Sequence, residues 1–165
     1  MKIYCEKPKL QAADTSEVLG PETASIVLIR SISTHERVNC GAVAFEINPN
    51  PSGIYVCHCA ICRRATGSGG IAVVVVDNTA FSWTRGEDHI ATWRKPDAEW
   101  QCWFCSTCGS PLPGANDEAR MFVPAGLIAE GADDLHVIHH IWVDSKAGWD
   151  EIGDSGEQHP EGIGS

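Results

Sequence analysis

The sequence predicts an all-β protein, and three observations carry that prediction. Short β-branched or alternating apolar runs recur along the chain; Gly, Pro and Asp clusters separate them; and only Ile61 to Ala65 reads as a turn of helix. At 165 residues and 43% apolar composition, the chain suits one domain with a genuine core and irregular ends.

Residues 1–37 read as an N-terminal extension. Pro8, Gly20 and Pro21 mix with charges over residues 1–24, so that stretch is expected to be irregular, and Cys5 within it is assigned no role. Ile26 to Ile32 is a β-branched run and an expected strand. Gly41 to Ile47 alternates through Val43, Phe45 and Ile47, as a half-buried strand does, and Asn48-Pro49-Asn50-Pro51 ends it. Gly53 to Cys57 forms a short strand running into the first cysteine cluster. Ile71 to Val76 is apolar on both faces, the mark of a central core strand. Further strands are expected at 89–94, 99–104, 120–125 and 136–143. Beyond Trp149 the chain turns Gly- and acid-rich, and residues 153–165 read as an acidic tail with a frayed end.

Charge narrows the function. Twelve Lys and Arg face 22 Asp and Glu, for a net charge of −10. Tracking a phosphate backbone needs clustered cations, so nucleic acid is excluded as a partner, and an anionic membrane surface equally so. A small anion needs a local positive centre, from a metal or from Arg63 and Arg64. The N-terminus has no apolar targeting region, and the longest strongly apolar run is far too short to span a bilayer. A cytoplasmic location is therefore expected. Thiols stay reduced there, so the eight cysteines call for a metal rather than disulfides.

Two cysteine constellations stand out. In Cys57-His58-Cys59-Ala60-Ile61-Cys62, Cys57 and Cys59 project to one face of an extended segment, and a tight turn returns Cys62 beside them. Three sulfurs can then converge at about 2.3 Å from one zinc ion, leaving one position open as catalytic sites do. Three ligands of a structural site, or redox-active thiols, are the competing readings. His58 points the other way and reads as a packed or surface residue. The second constellation, Cys105-Ser106-Thr107-Cys108-Gly109, is a zinc-knuckle turn, with Cys40 before Gly41 the best further donor. A redox pair is its alternative, though the βαβ context for one is missing. Cys102 should face away from Cys105 as a core thiol.

These motifs resemble the glutathione-dependent formaldehyde-activating enzyme family. The matching pieces are Asn39-Cys40-Gly41, the run from Cys57 to Ser68, Phe81 to Gly86, Phe104 to Leu112, and His140 to Trp149, in the family's order within residues 38–152. The resemblance implies a β-tent fold of small antiparallel sheets pinned by zinc, with residues 38–152 as the zinc domain. It implies that Cys57, Cys59 and Cys62 hold a catalytic zinc, as ligands rather than nucleophiles, and that Cys40, Cys105 and Cys108 hold a structural one. The family's fourth structural cysteine falls on Val38 here. His35, water or a carboxylate could complete that shell, or the site could be empty; a weakened but occupied second site is expected.

The activity implied is that of a carbon–sulfur lyase joining a thiol such as glutathione to a small aldehyde such as formaldehyde. Three thiolates leave a zinc centre at net −1, a poor Lewis acid unless neighbours offset it. Arg63 and Arg64 are placed to do so or to clamp a substrate carboxylate, and solvated turn arginines are the plain alternative. Trp142 and Trp149 are expected to be buried anchors, with His139 and His140 packed near the metal region. Two other classes compete: a zinc-stabilised binding module without catalysis, and a rubredoxin-like iron centre, which wants four thiolates from paired knuckles.

Overall fold

The computed structural model describes residues 34–163 apart from 50, 52 and 130. The strand expected at Ile26 to Ile32, Cys5 and the side chain of His35 lie outside the described part.

Alternation builds the first sheet. Val43, Phe45 and Ile47 are wholly buried, while Ala44 and Glu46 between them are half-buried. Each of these buried side chains contributes about 1.5–3 kcal/mol by leaving water. Strand β2 (Ala44–Ile47) lies between β1 (Thr34–Arg37) and β5 (Phe81–Arg85), antiparallel to both. Strand β5 was not expected from the sequence. Its Phe81 and Trp83 are half-buried beside Phe45, with the Phe45 and Phe81 rings 5.4 Å apart.

The second sheet has six strands in the order β11-β10-β3-β4-β9-β8. Its members are β3 (Ile54–Cys57), β4 (Ile71–Asp77), β8 (Gly114–Ala115), β9 (Arg120–Pro124), β10 (Val137–Ile141) and β11 (Glu157–Gln158). Strand β10 runs parallel to both β3 and β11, whereas the other pairs are antiparallel. A two-stranded hairpin of β6 (Ile90–Arg94) and β7 (Gln101–Cys105) makes the third sheet. The helical turn expected near Ile61 is a full short helix, α1 (Ala60–Thr66), closed by Gly67 in the left-handed region at φ 67°.

Two apolar clusters join these sheets. Phe45 and Ile47 pack with Val74, Val76, Val123 and Ile128, between the first and second sheets. Val38, Val43, Cys105 and Leu112 pack together and draw in Trp83 and Trp103, tying the hairpin to the rest. The central strand β4 needs a correction. Only its Val74 and Val76 face the core; Ile71 and Val73 point to the opposite face, which lines a cavity. An apolar run is the same in sequence whether its second face meets a core or a cavity.

The tail is paired as far as it is described, and the end expected to fray, residues 164 and 165, lies outside the described part. Strand β11 pairs with β10, His159 N–H donates to His140 O at 2.8 Å, and Trp142 N–H donates to Glu161 O at 2.9 Å. These backbone bonds anchor the C-terminal segment. Trp142 and Trp149, expected as buried anchors, are 39% and 71% exposed.

Candidate metal centre and adjoining cavity

A strand end, a helix cap and a first helical turn bring the first three sulfurs together. Cys57 closes β3, Cys59 is the extended N-cap of α1, and its Sγ accepts the Cys62 N–H at 3.4 Å. A thiol thus stands in for the Ser or Asp that usually caps a helix. The three sulfurs lie within 4.8 Å of one another. A tetrahedral ion at the zinc–sulfur distance spaces its sulfurs by about 3.8 Å, so this trio fits one metal. Gly70 permits the loop to close: a Cβ there would stand 2.7 Å from Cys57 O.

The thiols differ in how they hold protons. A hydrogen bond from the Cys62 side chain, reinforced by the backbone at Cys59, pulls the Cys57 thiol down to about 6 despite partial burial. Cys62 is pushed well up, by Cys57 first and by burial second. Cys57 therefore ionises before Cys62, its proton-rich partner.

Cys57 and Cys62 sit in the wall of a cavity of about 570 Å³. One face of the six-stranded sheet forms its floor, because Ile141, Cys57 and Ile71 are register partners across β10, β3 and β4, and Val73 pairs with Pro124. The hairpin supplies the opposite wall through Arg94, Gln101 and Trp103, joined by Glu99 and Trp100 between its strands. Cys102, expected as a core thiol, lines this cavity, with Sγ 3.6 Å from Trp93 O. No spacing in the sequence marks Arg94 or the two tryptophans as cavity residues; only the apposition of hairpin and sheet does.

Arg63 and Arg64 do not line this cavity. Arg63 donates to two backbone carbonyls, His58 O and Ser145 O, each at 3.2 Å, and so ties the cysteine loop to the C-terminal segment. Arg64 is exposed on α1. Arg94 is the cavity's guanidinium, hydrogen-bonded to Gln101 Oε1 at 3.1 Å.

Behind the loop, on the other face of β3, lies a buried polar chain. Asp150 Oδ2 meets His58 Nδ1 at 2.9 Å, His58 Nε2 meets His140 Nδ1 at 2.9 Å, and His140 Nε2 meets Asp154 Oδ1 at 2.8 Å. Both rings are almost fully buried. His140 and the Gly156 N–H hold the Asp154 carboxyl below its usual range. His58 and His140 are packed residues near the metal region, as expected, and their carboxylate partners are Asp150, just before the acidic tail, and Asp154 within it.

The second cluster is built over long range. Cys40 and Cys105, 65 positions apart, place their sulfurs 3.7 Å from each other, and with Cys108 all three lie within 4.8 Å. This trio also fits one ion. Gly41 and Gly109, at φ 71° and 74°, provide the left-handed exits of the two knuckle turns. Side-chain and backbone hydrogen bonds at Ser110 hold the Cys108 thiol at about 6. The Ala42 backbone favours ionisation of Cys40, but Cys108, burial and Cys105 together raise it. Val38, 2% exposed, packs beside Cys105 as an apolar neighbour. Among the described residues no helix is long and apolar enough to cross a membrane.

Comparison with known proteins gives the family of this chain. The family model described as glutathione-dependent formaldehyde-activating enzyme matches residues 33–145. A Halomonas elongata protein named for the same family is 30% identical over 79 residues, covering 45% of this chain and 50% of that protein. The chain thus spans about half the length of the curated relative it matches. A crystal structure of a Rhodobacter sphaeroides protein overlaps 59% of this chain and 88% of its own, at 20% identity and a TM-score of 0.48. The family match extends over most of the chain and takes in both cysteine constellations, so the chain belongs to the glutathione-dependent formaldehyde-activating enzyme family.

Proposed function

We propose that this chain is a zinc-dependent carbon–sulfur lyase that reversibly joins a thiol, glutathione or one like it, to a small aldehyde such as formaldehyde. The observation that carries this reading is the convergence of the Cys57, Cys59 and Cys62 sulfurs, with Cys57 and Cys62 in the wall of a cavity of about 570 Å³. In the reaction the thiol sulfur bonds to the carbonyl carbon, the carbon–oxygen π bond breaks, and the thiol proton ends on the new hydroxyl oxygen. A zinc ion held by the three cysteines would supply Lewis acidity and favour the thiolate form at neutral pH.

The chain's own residues provide the setting. Ile71, Val73, Trp103 and Phe122 make the cavity wall largely apolar, which excludes water and limits hydrolysis of the adduct. Arg94, held by Gln101, is placed to bind a carboxylate of the thiol substrate. Arg63 and the His58–His140 chain fix the loop from behind. Cys40, Cys105 and Cys108 are proposed to hold a second, structural ion, weakened because Val38 supplies no ligand. A binding module without catalysis would instead call for a sealed first site, and the cavity beside Cys57 and Cys62 favours the enzyme.

Cobalt substitution tests the reading. Sulfur-to-cobalt absorption bands should shift when glutathione or a smaller thiol is added, and carbon-13 formaldehyde should show accelerated exchange with its thiol adduct. Bands unmoved by every thiol, with no accelerated exchange, would leave only the binding module.

A further inference from the structure

A third cluster of metal-binding side chains lies away from the cysteines, where the tail docks on the sheet. The parallel pairing of β10 with β11 sets His139 opposite Glu157, and His159 follows. His139 Nδ1 and His159 Nε2 approach to 3.0 Å, and Glu157 Oε2 stands 3.5 Å from the first and 3.8 Å from the second. A triangle with these sides has a point about 2.0–2.1 Å from all three corners, the ordinary length of zinc–nitrogen and zinc–oxygen bonds. Two ring nitrogens and one carboxylate oxygen thus converge as ligands do.

The arrangement is held in place before any ion arrives. His139 is stacked on Tyr55, with ring centroids 5.4 Å apart. His159 is pinned through its backbone on both sides, donating to His140 O and accepting from Val143 N–H. The two rings are 25% and 18% exposed, while Glu157 is 69% exposed and leaves the outer side open to water ligands. The net charge of −10 favours a cation. Two imidazoles with one carboxylate suit an ion of borderline softness, unlike the all-thiolate clusters.

We propose that His139, Glu157 and His159 form a divalent transition-metal site, of the zinc or nickel class, that staples residues 157–159 to β10. The proposal is independent of the activity assigned to the cysteines.

Zinc content at controlled free zinc tests it, comparing the wild-type chain with His159→Gln and with Glu157→Gln. Glu157 is exposed on the tail, so its variant should fold normally even if the histidine variant does not. The wild type should take up one more ion per chain than His159→Gln. Glu157→Gln should weaken that ion by at least the roughly tenfold that even outer-shell losses cost. On saturation the ring nitrogen NMR signals of His139 and His159 should move. Equal zinc content in all three proteins up to about 1 mM free zinc, a millimolar Kd being negligible affinity, or ring signals that stay put, would overturn the site.

Discussion

The two cysteine trios offer the same ligands at the same spacing, yet the chain builds them in opposite ways. Cys57, Cys59 and Cys62 come from one short strand-to-helix turn, and two of them face a cavity. Cys40 and Cys105 are 65 positions apart and meet beside Val38, Val43 and Leu112 in a small core. A locally built cluster costs little chain entropy to assemble and can open onto a substrate. A cluster closing a long loop repays much more in stability, because an ion there removes freedom from the unfolded chain. The difference teaches that ligand identity alone does not separate a chemical site from a structural one; sequence separation and surroundings do.

The sharpest test exchanges the two roles. Cys59→Ser should lower adduct-forming activity by about a hundredfold or more while shifting the melting temperature little. Cys105→Ser should do the reverse, costing about 2–4 kcal/mol of stability with metal loss and retaining activity in the molecules that stay folded. Activity assays and thermal melts on both variants, showing equal losses in both quantities, would erase the distinction.

The polar chain behind the first cluster comes next in size. His140→Phe removes the partner of the buried His58 Nε2, while His58 keeps Asp150 and Asp154 keeps the Gly156 N–H; one orphaned buried nitrogen costs about 1–3 kcal/mol. Denaturant unfolding would measure this, and a neutral result would show that the chain is dispensable. Val38→Cys bears on the second cluster, since it sets a fourth thiol beside Cys105. If the second cluster holds zinc as proposed, dialysis against a mild chelator should strip the variant about tenfold more slowly than the wild type, a change of about 1.4 kcal/mol.

Proton affinity gives a subtler contrast. Cys57 and Cys108 are both held at about 6. In metal-free protein each thiolate therefore forms as pH rises through 6, and alkylation should be slow below that value and near its plateau by neutrality. Exposure then separates them: Cys108 is exposed and Cys57 half-buried, so mass spectrometry should find Cys108 labelled first. Earlier labelling of Cys57 would mean its loop opens more readily than the knuckle. The smallest effect belongs to Trp149→Ala. With 71% of the side chain exposed, the loss should stay within about 0.5 kcal/mol.

Much of this was legible in sequence where the interactions are local. The spacing of Cys57, Cys59 and Cys62 set their convergence, because strand period and helical turn act over a few residues. The alternation of Val43, Phe45 and Ile47 named a buried face before any partner strand was known. That Val38 stands where the family carries a cysteine came from the resemblance, and its burial beside Cys105 came only from the structure. The backbone partners of Arg63 were not legible, because one of them, Ser145, is distant in sequence. Trp142 and Trp149 were misjudged because large apolar area states a preference for burial, while backbone pairing had already fixed the segment.

What the sequence by itself determined is an all-β chain carrying two sets of three thiols, one local and one split. Tertiary structure alone decided that β4 turns one face to a cavity, that the hairpin closes that cavity with Arg94 and Trp103, and that the C-terminal segment supplies Asp150 and Asp154 to buried histidines. The physical reason is range. Dihedral preference and side-chain period act along the chain, whereas register and sheet apposition depend on segments that meet only after folding.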